Sequence, residues 1–103
     1  MNLITSQQYL DRDIVAEKIE AEDFDVQISP AFEYDGETFA VIIDGHHSFA
    51  AALEAGAEPV FTELSSQDFD AICLLQSGDV DAFLAAADWG EGWIYAETSQ
   101  PVW

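Results

Sequence analysis

The segment Asp44-Gly45-His46-His47-Ser48 holds the side chains of this sequence that are best suited to chemistry. A carboxylate and two imidazoles can ligate a divalent metal or position a phosphate. A glycine turn that opens a helix adds free backbone N–H groups and the positive end of the helix dipole, and both suit an anion. We therefore treat these five residues as a candidate anion-binding turn.

Two other interpretations of this turn stay open. The first is a metal site at Asp44 and His46, with or without His47. Adjacent residues on a helix point about 100° apart, so the two histidines cannot easily face one small ion, and no metal site is predicted. In a purely structural interpretation, which we favour, Asp44 caps the helix, one histidine packs and the other is solvated.

The elements around the turn follow from the pattern of apolar residues. The run Phe39–Ile43 is almost wholly apolar, as expected of a central strand that is covered on both faces. A helix is predicted from His46 or His47 to Ala55, where Gly56 ends it, and Pro59–Thr62 is predicted to form the next strand.

The remaining elements place the turn inside an α+β fold. Thr5 or Ser6 is expected to cap an amphipathic helix from about Gln7 to Ala21. An Asp35-Gly36 turn between two β-prone runs predicts a hairpin. Further elements are predicted as strands at Leu3-Ile4, Phe24–Ile28, Phe32–Tyr34 and Thr38–Ile43, helices capped by Ser65 or Ser66 and by Ser77 or Asp79, and a short strand at Trp93–Tyr95.

The segment 41–60 runs Val41-Ile42-Ile43-Asp44-Gly45-His46-His47-Ser48 into an alanine-rich helix, then reaches Gly56 and Pro59-Val60. This order of elements resembles the ParB/sulfiredoxin superfamily. The resemblance covers residues 1–63, so a ParB/sulfiredoxin-like core is expected there. Residues 64–103 are expected to add C-terminal helices and an aromatic tail. The whole chain is predicted to be one domain over residues 1–103, with a small mixed sheet and packed helices.

The resemblance implies nucleotide binding at the turn, because a basic residue of that motif contributes to binding nucleotide phosphates in the family. Here Ser48 stands at the basic position, and no lysine or arginine follows Lys18 in the sequence. A serine brings one hydrogen bond and no charge. We therefore expect a binding protein rather than an enzyme, with no cofactor. The alternative is a ParB-like enzyme that uses ATP or CTP with Mg²⁺ at Asp44 to Ser48.

The net charge of the chain indicates the sign of the charge on its partners. Arg12 and Lys18 stand against 21 acidic residues, which gives a formal net charge of -19. Nucleic acids and anionic membranes would be repelled by this charge, so neither is an expected direct partner. A basic, nucleic-acid-binding protein is the expected partner.

Mimicry of DNA by carboxylates requires the acidic residues to cluster. A folded chain of this mass exposes roughly 5,700 Å², so evenly spread acids give one charge per roughly 270 Å², against about one per 100 Å² on duplex DNA. The candidate residues for an acidic, partner-binding face are Glu17, Glu20, Glu22, Asp23, Asp25, Asp68, Asp70, Asp79, Asp81 and Asp88. The competing explanation is halophilic adaptation, which would make the whole surface acidic.

Aromatic residues are the second candidate feature of an interface. Trp89, Trp93, Tyr95 and Trp103 lie close together in an acidic tail, and interfaces favour Trp and Tyr as anchors. Of these, Trp89 and Trp93 are the predicted anchors. The alternative, which we favour for the tail as a whole, is that it folds back over the sheet.

Two further expectations concern burial and location. Seven phenylalanines are spread along the chain as core anchors would be, and Cys73 lies in an apolar run and is predicted to be buried. Without a leader or a membrane-spanning stretch, the expected location is the cytoplasm. The function expected from the sequence is that of an inhibitor, encoded by a phage or mobile element, with a DNA-like acidic face of the anti-CRISPR or anti-restriction type.

Overall fold

The chain folds into one mixed sheet and four helices, which confirms the predicted α+β class. The computed structural model describes residues 1–103. The longest helices have 10 residues, and none is long and apolar enough to cross a membrane. The elements in chain order are β1 (Asn2–Thr5), α1 (Arg12–Ala21), β2 (Asp25–Ile28), β3 (Phe32–Tyr34), β4 (Glu37–Asp44), α2 (His46–Ala55), β5 (Val60–Glu63), α3 (Ile72–Gln76), α4 (Val80–Ala86) and β6 (Ile94–Tyr95).

The sheet is ordered β5-β2-β4-β1-β6, and β3 also pairs with β4. Two pairs are parallel, β1 with β4 and β2 with β5, while the other pairs are antiparallel. The predicted hairpin at Asp35-Gly36 is confirmed, with positive φ angles of 53° and 81° at its two turn residues. Since β6 pairs with β1, the C-terminal part of the chain completes the sheet.

The central strand β4 is covered on both faces, as its apolar sequence predicts. Side chains alternate across a strand, so Phe39 and Val41 contribute to one core and Ile42 to the other. Helices α3 and α4 cover the first core; α2 covers the second through Phe49, and α1 packs against α2. The first core contains Ile4, Phe32, Phe39, Val41, Ile72, Phe83, Leu84 and Ala87, and the second contains Val26, Ile28, Ile42 and Phe49.

Helix α1 begins at Arg12, five residues after the predicted start. Asp11 is its N-cap, because its Oδ1 accepts the backbone N–H of Asp13 at 2.9 Å and that of Ile14 at 3.4 Å. The prediction of Thr5 or Ser6 as the cap is wrong. Thr5 ends β1, and buried Ser6 contacts the C-terminal part of the chain instead.

The helices after β5 are shorter than predicted. Asp79 caps α4, as one of the two predicted residues, by accepting the N–H of Ala82 at 3.1 Å. Ser65 opens a series of turns with its partner Asp68 rather than a continuous helix, and α3 begins only at Ile72. The prediction of a buried Cys73 is wrong. Ile72 occupies the core position, and the next residue on a helix points about 100° away, which leaves Cys73 exposed.

Candidate functional site

The candidate turn sits where the end of β4 meets the start of α2. Gly45 is the N-cap of α2 with φ 94°. A Cβ atom at this position would lie 2.6 Å from the backbone oxygen of Asp25, so glycine is required for both the backbone angle and the close approach to β2. No side chain caps this helix. The expectation that Asp44 caps it is wrong, because the Asp44 carboxylate accepts the N–H of the adjacent Gly45 at 2.8 Å.

Lys18 supplies a cation beside this turn that the linear sequence does not indicate. It belongs to α1, and it lines a polar cleft of about 200 Å³ together with Gly45 and the buried Ser48. Packing of α1 against α2 brings the lysine to the turn. Lys18 is the only lysine of the chain, and it lies 30 residues before Ser48 in the sequence. Because of this separation, the sequence does not indicate that Lys18 lies beside the turn.

Carboxylates outnumber the ammonium group in this cleft. Lys18 donates a hydrogen bond to Asp23 at 2.8 Å, which raises the pKa of Lys18, and the charges of Asp44 and Asp25 add to the effect. The same bond lowers the pKa of Asp23, helped by the backbone N–H of Asp25. With Asp23, Asp25 and Asp44 around one lysine, the cleft has a net negative charge and would accept a phosphate only together with a cation. No group of three or more His, Cys, Asp or Glu side chains is placed to hold a metal ion.

The two histidines of the turn hold the segment that precedes α1. Their rings lie 4.2 Å apart between centroids. Nε2 of His47 accepts the backbone N–H of Asp11 at 3.0 Å, and Nε2 of His46 donates to the carbonyl oxygen of Tyr9 at 3.1 Å. Burial and, secondarily, the charge of His46 lower the pKa of His47. Both histidines are half-buried, so the expectation of one packed and one solvated residue is wrong.

A second cleft of about 200 Å³ has His46 in its lining. Its wall is apolar at Phe49 and Leu53, and its rim carries the ion pair between Arg12 and Glu54. Of the candidate residues in the turn, only His46 reaches it. No local sequence pattern indicates this cleft, because its walls come from distant segments.

The acidic residues of α1 form a row on its exposed face. Asp13, Glu17 and Glu20 are exposed and lie within about 60° of one another around the helix axis, since each residue advances by about 100°. Three further acidic residues follow in sequence, at the C-cap of α1, in the connection to β2 and at the first position of β2. We call the set the α1–β2 acidic strip; its members are Asp13, Glu17, Glu20, Glu22, Asp23 and Asp25.

Most carboxylates of this strip make no hydrogen bond or ion pair within the protein. The chain has two ion pairs, Arg12 with Glu54 and Lys18 with Asp23. Within the strip, Asp23 alone is engaged, and the other five side chains make no hydrogen bond or ion pair. Their charges are therefore available to a partner.

The five other candidate acids lie on the opposite side of the sheet, with α3 and α4. Four of them serve local structure as acceptors. Asp81 accepts the hydroxyl of Tyr34 at 2.7 Å, which raises the pKa of Tyr34. Asp68 accepts from Ser65, Asp79 from Ala82, and Asp88 from the N–H of Gly90, while Asp70 makes no such bond. The structure thus separates the predicted acidic residues into two groups and does not bring them onto one face.

The two predicted tryptophan anchors have different environments. Trp89 is 62% exposed beside Asp88, and its backbone N–H donates to Oγ of Ser6 at 2.7 Å. Trp93 is half-buried against the core. The alternative that the tail folds back over the sheet is confirmed, because Trp93, Tyr95 and Val102 pack there. Trp103 is 59% exposed and contacts the rings of Tyr34 and Phe39.

Comparisons with known proteins provide no relative from which to transfer a function: no protein-family model, curated protein or solved structure matches the chain.

Proposed function

We propose that this chain is an acidic binding protein that inhibits a basic, nucleic-acid-processing protein by presenting a DNA-like surface. The observation that carries the proposal is the α1–β2 acidic strip, in which five carboxylates are unpaired. A basic groove that normally holds phosphates would meet carboxylates there instead. The proposed scaffold is a ParB/sulfiredoxin-like core, and the functional analogy is to anti-CRISPR and anti-restriction proteins.

The spacing of the strip supports this proposal better than the average charge density does. The 21 acidic residues share 5,976 Å² of accessible surface, which is sparser than the phosphates of DNA. On α1, however, three carboxylates from Asp13 to Glu20 span about 10 Å of helix axis. Three phosphates of one DNA strand span about 7 Å of the duplex axis. The local spacing is thus within a factor of two of a phosphate strand.

Trp89 is the proposed anchor for a contact on the side of the sheet covered by α3 and α4, opposite the α1–β2 acidic strip. Tryptophan is enriched among the residues that carry binding energy, whereas exposed charges mainly raise the association rate. Trp89 is exposed beside Asp88, and the hydrogen bond of its backbone to Ser6 fixes its position. Trp93 does not share this role, since it is packed against the core.

Binding to a panel of basic DNA-cleaving and RNA-guided nucleases, measured at 50 mM and 500 mM salt, tests the proposal. Binding is expected to weaken as salt rises, because screening reduces charge attraction. The triple variant Glu17→Gln/Glu20→Gln/Glu22→Gln is expected to bind about tenfold more weakly, equivalent to about 1.4 kcal/mol.

The control removes the same charge from other exposed positions, as Glu33→Gln/Glu37→Gln/Glu97→Gln. An equal loss in both triple variants would contradict a DNA-like strip and favour a generic acidic surface. Absence of binding at 50 mM salt to every member of the panel would contradict the proposal for those nuclease classes.

Nucleotide binding at the turn is the second candidate function. The position of Lys18 beside Gly45 and Ser48 favours it, because an ammonium group and uncapped helix amides suit a phosphate. The surrounding carboxylates would require Mg²⁺ to accompany ATP or CTP. Calorimetry with each nucleotide, with and without Mg²⁺, tests this function, and Lys18→Met is expected to abolish any heat of binding that the wild-type chain shows.

Halophilic adaptation is the competing origin of the charge. All acidic residues except Asp11 and Asp23 are exposed, and they are spread along the whole chain. If the charge is a halophilic adaptation, the protein is expected to unfold at low salt and to regain its fold in molar KCl. Stable folding in 20 mM salt would exclude this origin.

A further inference from the structure

The two ends of the sheet differ in how their outer strands are covered. At one end, β6 is followed by residues that fold back on it: Ile94 forms a bridge with Pro101, and the N–H of Tyr95 donates to Gln100 at 2.9 Å. At the other end, β5 pairs with β2 alone. All four residues of β5 are exposed. The β5 edge is therefore open.

The backbone of β5 has hydrogen-bonding groups directed away from the sheet. The N–H of Val60 donates to Phe24 at 2.9 Å, and the N–H of Leu64 donates to Ile28 at 2.8 Å. Since successive residues of a strand direct their backbone groups to opposite sides, residues 60, 62 and 64 face β2. The N–H and C=O groups of Phe61 and Glu63 consequently point outward, in the arrangement that an added strand requires.

Apolar side chains flank these outward backbone groups on both faces of the sheet. Val60 is 56% exposed and Phe61 is 47% exposed. The Phe61 ring lies 6.3 Å from that of Phe49, on the face covered by α2, while Val60 projects to the opposite face. The sequence-based expectation that every phenylalanine anchors the core is wrong for Phe61. An open edge with exposed apolar residues is a site for strand pairing.

The charges around β5 identify the kind of strand that fits. Glu58 and Glu63 flank the strand, and Asp25 lies opposite Val60 on β2. Both basic residues of the chain belong to α1 and are already ion-paired. A second copy of the chain would bring its own -19 charge to this edge, so self-pairing is opposed by repulsion. A basic segment has the complementary charge.

We infer that β5 binds an extended basic segment of the partner as an added strand. If the apolar side chains of that segment cover Phe61, its lysine or arginine side chains lie on the other face, beside Val60 and Asp25. If they cover Val60, the basic side chains lie beside Phe61 and Glu63. The inference deepens the proposed function and rests on it for the identity of the partner. It adds that main-chain pairing at Phe61 and Glu63 supplements the charge of the α1–β2 acidic strip.

The test uses the full chain, labelled with ¹⁵N, and a synthetic eight-residue peptide that alternates lysine or arginine with valine. Addition of the peptide is expected to shift the amide resonances of Phe61 and Glu63 most strongly. Phe61→Pro removes an outward donor without removing a bond to β2, and edge strands tolerate proline at such positions. Phe61→Ala removes the same ring but keeps the donor. The proline variant is expected to bind about tenfold more weakly than the alanine variant.

A peptide that carries N-methyl groups on one edge is the control for charge alone, because it keeps every lysine and arginine. When the methylated edge is the one that would pair with β5, this peptide is expected to bind at least tenfold more weakly than the unmethylated peptide. Should Phe61→Pro fail to fold, the pair Glu63→Pro and Glu63→Ala makes the same comparison at the second outward residue.

Three results would overturn the inference: equal affinities of the proline and alanine variants, peptide-induced shifts confined to α1, and no binding at millimolar peptide. These outcomes are separable from failure of the proposed function. A nuclease that binds through the strip but is insensitive to Phe61→Pro would leave the function intact and remove the β5 site. A peptide that pairs with β5, in a chain that binds no nuclease, would do the reverse.

Discussion

The imidazole of His47 accepts the backbone N–H of Asp11 at 3.0 Å and thereby joins the start of α2 to the start of α1. Asp11 is itself the cap of α1, so one histidine supports the residue that begins the neighbouring helix. The bond requires an unprotonated Nε2 atom, because a protonated imidazole has no acceptor. Docking of α1, which carries three of the six residues of the acidic strip, therefore depends on the charge state of His47.

Stability is expected to fall as the pH drops below about 6.5, the usual pKa of histidine. The pKa of His47 is lowered in the folded state, so the unfolded chain binds more protons between the lowered value and 6.5. The unfolding free energy then rises with pH through that window and reaches its full value above 6.5. Urea denaturation at a series of pH values measures this dependence.

Two variants separate His47 from the other titrating groups. His47→Ala is expected to lower the unfolding free energy by about 1–2 kcal/mol at pH 7.5, through the lost hydrogen bond, and to flatten the dependence below pH 6.5. His46→Ala keeps the acceptor for Asp11 and is expected to retain a dependence. An unchanged pH profile in His47→Ala would show that the bond to Asp11 has no part in it.

Gly45→Ala is expected to destabilise the chain by about 3 kcal/mol or more, since it combines a strained φ with a clash against the backbone. The new Cβ would lie 2.6 Å from the oxygen of Asp25. Gly56→Ala is the matched control, with φ 65° and nothing within 4 Å of the new atom, and is expected to cost about 1–2 kcal/mol. Urea midpoints measure both. Similar costs would mean that β2 moves aside without penalty.

Trp89→Ala is expected to leave the unfolding free energy within about 0.5 kcal/mol of the wild-type value, because exposed side chains contribute little to stability. Trp93→Ala is expected to cost about 1.5–3 kcal/mol, since its ring packs against the core. Denaturation followed by circular dichroism avoids dependence on the tryptophans as probes. A large loss in Trp89→Ala would indicate a structural role and would weaken its assignment as an anchor.

Cys73 is expected to react with a maleimide in the folded protein at a rate close to that of the denatured chain, because its side chain is exposed. Mass spectrometry of samples quenched over time measures the rate. Cys73→Ser serves as the blank. Labelling only after addition of urea would contradict the exposed position on α3.

Local patterns predicted the elements better than the site. The apolar run of β4, the Asp35-Gly36 turn and the Gly56 stop act through neighbours in sequence, and each prediction is confirmed. The start of α1 was missed because Gln7 to Leu10 fit a helical period, while Asp11 provides a stronger cap.

Contacts between segments that are distant in the chain could not be predicted from the sequence. Lys18 reaches the turn only because α1 packs against α2. The two groups of acidic residues are separated only because α3 and α4 cover the opposite face of the sheet from α2. The exposure of Phe61 depends on the position of β5 at the end of the strand order, which periodicity does not specify.

The hydrogen bonds of Ser6 and Gln8 constrain when this chain can finish folding. Ser6 bonds to Ala87 and Trp89, and Gln8 bonds to Glu91 and Gly92, across sequence separations of 81 to 84 residues. Contacts this distant slow folding, because a long loop must close before they form. At about 5–20 residues per second on the ribosome, the first segment waits roughly 4–16 seconds for these partners. During synthesis β1 therefore lacks its β6 neighbour until the C-terminal residues have been made.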